Sequence, residues 1–278
     1  MDSDGPLDFS GRAVIVTGGT KGIGAVIARA FLTAGAQVLV CGRTDPPEPP
    51  RGGGRRAHFL PADVRDPEAA GVLVDGAVER FGRLDVLVNN AGGSPDADAA
   101  TVSPRFVEKI VALNLLAPFY VAQAANRVMR EQSTGGSVIN IGSVSAHTPQ
   151  PGTAAYSAAK AGLLALTRAL ALEWAPKVRV NHITTGPVRT GSAASVYGAD
   201  EGAAVDGVIP MRRMAAPDDV AHACLYLAGG LARYVNGADL AVHGGGEVPA
   251  RYLAIRGELP GEPPDRLPAG PPGGFPDA

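Results

Sequence analysis

Cysteine, basic blocks and long apolar runs are what this chain has little of. Its two cysteines, Cys41 and Cys224, are too few for a disulfide framework or a zinc set. Both are expected to be buried thiols, and a reducing, cytoplasmic location is the default expectation. The five histidines (His58, His147, His182, His222 and His243) show no ligand spacing; they are expected to be structural or exposed, and no metal is expected. Lys and Arg form no long block and the net charge is −2, which points away from nucleic acid and from an anionic membrane surface. No apolar run reaches the roughly 20 residues of a membrane span. Residues 1–10 carry acids and no apolar centre, so they do not read as a signal peptide. What remains is an ordinary globular composition, 45% hydrophobic and 19% charged, in 278 residues, enough for one large domain or two small ones.

Short apolar runs at 13–16, 37–41, 58–60, 84–88, 137–141, 178–183 and 238–242 alternate with helical stretches at 23–33, 67–81, 104–131, 154–175 and 217–227. Continuous apolar runs suit strands covered on both faces. The alternation predicts an α/β fold, a Rossmann-like doubly wound parallel sheet of about seven strands with helices on both faces. No boundary splits these strands, so residues 1–246 are expected to form one domain. Two segments break the pattern. Residues 45–56 read as a Pro/Gly loop. Residues 247–278 hold eight Pro and five Gly and are expected to form a tail without regular helix or central strand.

Within the helical stretch 154–175 stand Tyr156 and Lys160, four apart and therefore on one helix face. A nearby ammonium favours phenolate, so the phenol is expected to titrate below its usual value of about 10 and to exchange protons near neutral pH. With six Tyr and only four Lys in the chain, chance supplies about 0.1 such pairs. Thr17, Gly18, Gly19, Thr20, Lys21, Gly22, Ile23 and Gly24 follow the first strand and open the first helix. That is where a glycine-rich turn lets backbone and free helix N–H groups approach a pyrophosphate. The spacing, Gly-x3-Gly-x-Gly, differs from the Gly-x-Gly-x2-Gly of other dinucleotide turns.

Together with Asn89-Asn90-Ala91-Gly92, Asn114 and Ser143, these motifs resemble, in order and spacing, the short-chain dehydrogenase/reductase family over roughly residues 9–246. The resemblance implies catalytic roles for Asn114, Ser143, Tyr156 and Lys160. Tyr156 would protonate a carbonyl oxygen. Lys160 would lower its pKa and hold the nicotinamide ribose. Ser143 would hydrogen-bond the substrate oxygen, and Asn114 would bend its helix and hold a water. Hydroxyls converging on one oxygen form an electrostatic clamp that is strongest as alkoxide character develops. The resemblance also implies a cofactor site made of the turn residues Thr17, Gly18, Thr20, Lys21, Gly22, Ile23 and Gly24. Asn90, Ala91 and Gly92 would close the groove, Asp63 and Val64 would meet the adenine edge, and Gly186, Val188 and Thr190 would lie at the nicotinamide end. Taken singly, Asn89 and Asn90 could serve only the turn backbone, and Ser143 could be a helix cap.

An acid at the end of the second strand would bind an NAD ribose and repel a 2′-phosphate. Here Gly42, Arg43 and Thr44 stand there, and Lys21 sits in the turn, so NADP(H) is the expected cofactor. Solvated surface charge is the plainer reading of the two cations. The family departures are Thr185 where Pro is usual, expected to loosen the loop over the nicotinamide, and His243 where Asp is usual, expected to alter a local turn or subunit contact. Residues 191–213 are expected to be a mobile lid, with His147, Gln150 and Pro151 on the pocket's other side. The expected activity is NADPH-dependent reduction of a ketone or aldehyde, or the reverse alcohol oxidation. Imine or enone reduction and a non-catalytic NADP-binding protein are the alternatives. A small-molecule carbonyl or alcohol is the expected partner, with no nucleic acid and no membrane. A homo-tetramer or homo-dimer is expected through the helices at 104–131 and 154–175, with Leu163, Leu166 and Leu170 facing outward and Tyr252, Leu253 and Ile255 docking on a neighbour.

Overall fold

The computed structural model describes residues 5, 7–191, 197 and 202–256. Seven strands form one parallel sheet: β1 (Ala13–Thr17), β2 (Gln37–Gly42), β5 (His58–Pro61), β6 (Val86–Asn89), β7 (Gly136–Ile141), β8 (Val178–Thr185) and β9 (Asp239–Val242). Their spatial order is β5-β2-β1-β6-β7-β8-β9. The chain runs outward one way from β1 and the other way from β6, so the order reverses between these two strands. A crevice at the carboxyl ends of the strands belongs at such a point.

The apolar runs become strands because both faces are covered. On β1, Val14 and Val16 pack with Ile27 and Phe31 of α1 (Gly22–Thr33), and with Val220 and Leu227 of the helix Pro217–Ala228. Ile15, from the opposite face, packs with Leu73 and Val74 of α2 (Pro67–Phe81) and Val121 of the helix Ala117–Met129. Local signals fix the helix ends. Asp66 accepts from the Glu68 N–H at 2.9 Å with Pro67 at the first helical position, and Gly82 closes α2 in the left-handed region at φ 76°.

The structure departs from the sequence reading in several places. The segment 45–56 contains an antiparallel hairpin, β3 (Arg51–Gly52) with β4 (Arg55–Arg56). It seats on α1: a methyl on Gly52 would lie 2.5 Å from the Arg29 carbonyl, and Gly53, at φ +55°, backs onto Thr33. The stretch after 247 contains the helix Ala250–Arg256. Pro249 precedes it and the other seven prolines lie beyond it, so this piece is free of the residue that excluded helix. Leu253 is buried against its own chain, while Tyr252 and Ile255 are exposed. Leu163 and Leu170 face this chain's own core, and Leu166 packs against it, so none of these forms an outward face.

The long helix Pro104–Met129 is, by length and composition, the one helix among the described residues apolar enough to cross a membrane. Here it flanks the sheet, with Ile110, Val121, Ala125 and Met129 fully buried. It is divided into α3 (Pro104–Val111), a π-helical turn (Ala112–Leu116) and α4 (Ala117–Met129). In the expected lid, residues 192–196 and 198–201 lie outside the described residues, and Ala203–Val208 is helical.

Candidate active site

A cleft of about 890 Å³ opens at the point where the strand order reverses. One wall is the glycine turn. Gly18 and Gly22 take φ values of +60° and +53°, conformations that favour glycine. Methyls on Gly19 and Gly24 would lie 2.6 Å from Val40 and 2.4 Å from the Asn90 amide, so the turn has no room for side chains. Asn90 Nδ2 donates to the Thr17 carbonyl at 2.9 Å and the Gly18 carbonyl at 3.2 Å. The Thr17 hydroxyl in turn accepts from the Asn90 and Ala91 N–H groups, both at 3.0 Å. Thr17 therefore lies behind the cleft as a tie between its two walls.

Gly18, Thr20, Lys21, Gly22, Ile23 and Gly24 line the cleft, as do Asn90, Ala91, Gly92 and Thr190. Arg43, Thr44, Asp63 and Val64 line its far end. Gly186 and Val188 do not line it. Gly186 backs onto His243, where a methyl would lie 2.9 Å from the His243 Cβ, and Val188 is buried and bridged to Ala215. Asp63, at the end where an adenine edge was expected, has its carboxylate held by a bidentate pair with Arg65, which also lines the cleft and keeps the carboxyl below its ordinary range. Asp45 lines the same end.

At the other end, α5 (Ala154–Trp174) carries Tyr156 and Lys160 toward the turn after β7. The Ser143 side chain lies beside the Tyr156 hydroxyl and favours its ionised form. Lys160 Nζ stands 5.7 Å from the Tyr156 ring centroid and donates to the Ile141 carbonyl at 2.8 Å. Burial pulls the Lys160 pKa down to about 8. Burial also raises the Tyr156 pKa, against the lowering effect of Ser143. This corrects the expectation of a depressed phenol: the ammonium is committed to a backbone carbonyl, and loss of water around the phenolate outweighs the effect of Ser143. Ser143 does cap a turn as well, accepting from the Ser145 N–H at 3.1 Å, which leaves its own proton free for a second partner.

Asn114 sits inside the π turn. It donates to the Gly93 carbonyl at 2.9 Å and the Ile110 carbonyl at 3.0 Å, and accepts from the Gly93 N–H at 2.9 Å. A methyl on Gly92 would fall 2.9 Å from Asn114 Oδ1 and 3.3 Å from Lys160 Nζ, so only glycine lets Asn114 and Lys160 approach the same strip of backbone. Asn89 faces away from the cleft, donating to Pro118 and Asn140. Thr185 is buried and donates to the Gly142 carbonyl at 2.8 Å, so the residue expected to loosen its loop ties it to the neighbouring turn.

Three features gave no functional signal in the sequence. Tyr197 adds to the electrostatic environment of Tyr156 and bonds to the Val188 backbone; it is the one aromatic in a small-residue stretch. Arg65 lines the cleft beside Asp63, and its sequence context carries no motif. His182 and Asp239 are titratable residues inside apolar strands, and the structure joins them to His147.

A parallel sheet with a glycine-walled cleft at its reversal point, and Ser, Tyr and Lys side chains at one end of it, defines a dinucleotide-dependent oxidoreductase. The comparisons agree. A family profile described as enoyl-(acyl carrier protein) reductase matches residues 18–247. An uncharacterized oxidoreductase of Mycobacterium tuberculosis is 39% identical over 250 residues, spanning 88% of this chain and 95% of its own. A D-threitol dehydrogenase of Mycolicibacterium smegmatis is 36% identical over 251 residues, spanning 88% and 95%. The solved structure of a putative short-chain alcohol dehydrogenase from Sinorhizobium meliloti superposes with a TM-score of 0.79 at 36% identity, covering 90% of this chain and 99% of that one. The chain belongs to the short-chain dehydrogenase/reductase family. It is thereby an oxidoreductase of a family that uses NAD or NADP.

Proposed function

We propose that this protein is an NADPH-dependent reductase of a ketone or aldehyde, working in reverse as an alcohol dehydrogenase. The observation that carries the reading is the meeting of Ser143, Tyr156 and Lys160 beside the cleft, with Lys21 and Arg43 at its far end. The residues suit the cofactor: the turn excludes side chains where a pyrophosphate would lie, and β2 ends in Gly42 instead of an acid. When bound, the nicotinamide supplies the hydride. Ser143 holds the substrate oxygen, Tyr156 delivers a proton to it as negative charge develops, and Lys160 stabilises the phenolate that remains. Thr17, Asn90 and Gly92 keep the groove in shape. Asp45 at the far end is the acid that an NAD-dependent enzyme would use instead.

Enone reduction on the same site is the second reading, favoured by the match to an enoyl-(acyl carrier protein) reductase family and by a relative named as a probable 2,4-dienoyl-CoA reductase. A non-catalytic role fits poorly with both Tyr156 and Lys160 in place. The reading includes a reducing, cytoplasmic setting, supported by two buried free thiols, of which burial raises Cys41 to about 11. It also includes a homo-dimer or homo-tetramer. A panel of ketones, aldehydes, imines and enones, followed with NADPH and NADH in parallel, tests it. At least one carbonyl compound is expected to be reduced faster with NADPH. Tyr156→Phe is expected to lower kcat by orders of magnitude while cofactor affinity survives. Turnover near that of the unmodified protein in this variant would remove Tyr156 from the role.

A further inference from the structure

Asp239 is the only acid among the described strands, and the active-site reading does not use it. It lies on β9, yet its carboxylate collects three donors from other parts of the chain. Thr184 Oγ1 donates at 2.6 Å and His182 Nδ1 at 2.8 Å, both from β8. His147 Nε2 donates at 2.8 Å from the turn after β7. A carboxylate accepts only, so each histidine must carry its proton on the nitrogen that faces Asp239. His182 is fully buried, and its Nε2 has no hydrogen-bond partner. Burial pulls the His182 pKa down and keeps the ring neutral, which holds this tautomer. Burial pushes the Asp239 carboxyl up, and the bonds from Thr184, His182 and His147 outweigh it. The cluster is therefore a carboxylate held by three donors, with the buried His182 ring neutral.

The turn that carries Ser143 is held at both ends by this cluster and the strands around it. At the near end, the Gly142 N–H donates to the Ile183 carbonyl at 2.7 Å, and its carbonyl accepts from Thr185. The His182 ring packs so closely there that a methyl on Gly142 would fall 2.0 Å from Cε1. At the far end, the His147 N–H closes the 3-10 turn onto the Val144 carbonyl at 2.9 Å while its ring reaches Asp239. Ser143, which opens this turn, has nowhere to move independently of these two anchors.

We infer that Asp239 is a positioning residue for Ser143: through His147 and His182 it locks the turn so that the Ser143 hydroxyl aims at the same point as Tyr156. The inference rests on the carbonyl-reductase reading for its effect on turnover, but the lock itself can be measured without activity. Asp239→Asn keeps the shape and removes the charge that fixes both donors. Hydrogen exchange at the Ser145, Ala146 and His147 amides is expected to accelerate at least tenfold, with strand amides unchanged. With NADPH and the carbonyl compound reduced fastest in the panel, kcat is expected to fall about 10- to 100-fold, since a small misplacement of a reacting group has effects of that size. Cofactor affinity is expected to stay within about twofold. In a Ser143→Ala background the same substitution should cost little more, because the group it positions is gone.

His147→Ala, at a half-exposed site, is the second variant should Asp239→Asn fold poorly, and it should show the same pattern more weakly. Unchanged exchange in the turn, or a kcat loss that persists in full without Ser143, would overturn the inference. Accelerated exchange in a protein that reduces no carbonyl compound would support the lock and count against the reductase reading alone.

Discussion

Lys160 shows what the site demands of a single residue. Its ammonium is buried with one backbone carbonyl as its partner, and burial brings its pKa from 10.5 to about 8. The folded form thus binds the proton less well than the unfolded chain. Below pH 8 the penalty is present in full, and it is relieved as pH rises from 8 toward 10.5. A shift of this size is on the order of 3 kcal/mol. Lys160→Met should therefore be inactive yet more stable than the unmodified protein at pH 7, and the gap should close by pH 10.5. Thermal unfolding of both proteins across pH 6–10.5 checks it; a gap that is absent at pH 7 or constant with pH would show that the ammonium is not desolvated. Tyr156 and Lys160 were legible in the sequence because helix geometry alone places residues four apart together. His182 and Asp239 were not, because 57 residues separate them and only the β8–β9 register brings them into contact.

Among elements, the unit from β1 through the glycine turn to α1, together with the end of β2, sets the cofactor end. The sequence carried this unit in full, since strand, turn and helix are contiguous and the turn glycines have a steric reason to be there. The hairpin at Arg51–Arg56 was hidden for the opposite reason: its glycines and arginines have no periodicity, and the strands exist because they seat on α1. The π turn at Asn114 was anticipated only as a bend, because its geometry depends on Gly93, 21 residues upstream. The cofactor end gives a prediction at this scale. Lys21 and Arg43 are exposed at the cleft, and a Cβ on Gly42 would meet Thr20 Oγ1 at 3.3 Å, a contact that a rotamer change of Thr20 relieves. Gly42→Asp with Arg43→Ala should then be tolerated. Losing a charge-assisted phosphate contact costs roughly 1.5–3 kcal/mol, so NADPH affinity should fall about 10- to 150-fold while NADH gains. Equal dissociation constants for NADPH and NADH in the unmodified protein would remove Lys21 and Arg43 from phosphate recognition, and tighter NADH binding would assign the far end to Asp45.

The whole molecule leaves apolar surface that its own fold does not cover. In the most apolar stretch of the helix Pro104–Met129, only 33% of the residues are buried. Leu116 at its π turn is 38% exposed, and Leu172 on α5 is 84% exposed. The residues expected to make a subunit contact, Leu163 and Leu170, are used up in the core, and the outward face of α5 is carried by Ala161, Ala165, Arg168 and Leu172 instead. Small residues on that face let a second helix approach closely, and Leu172 gives it an apolar anchor to bury, worth about 1.5–3 kcal/mol when fully covered. Light scattering should therefore give a mass that is a multiple of the 28.2 kDa chain. Leu172→Arg should shift the protein toward smaller species, because a guanidinium in place of the apolar anchor would have to be desolvated beside Arg168 on the same helix face. It should leave the fold intact, since Leu172 touches little of its own chain. A mass of 28.2 kDa for the unmodified protein would show that this face serves no contact between copies. An oligomer unmoved by Leu172→Arg would place the contact elsewhere, with the exposed Tyr252 and Ile255 of the last helix as the next apolar surface to substitute.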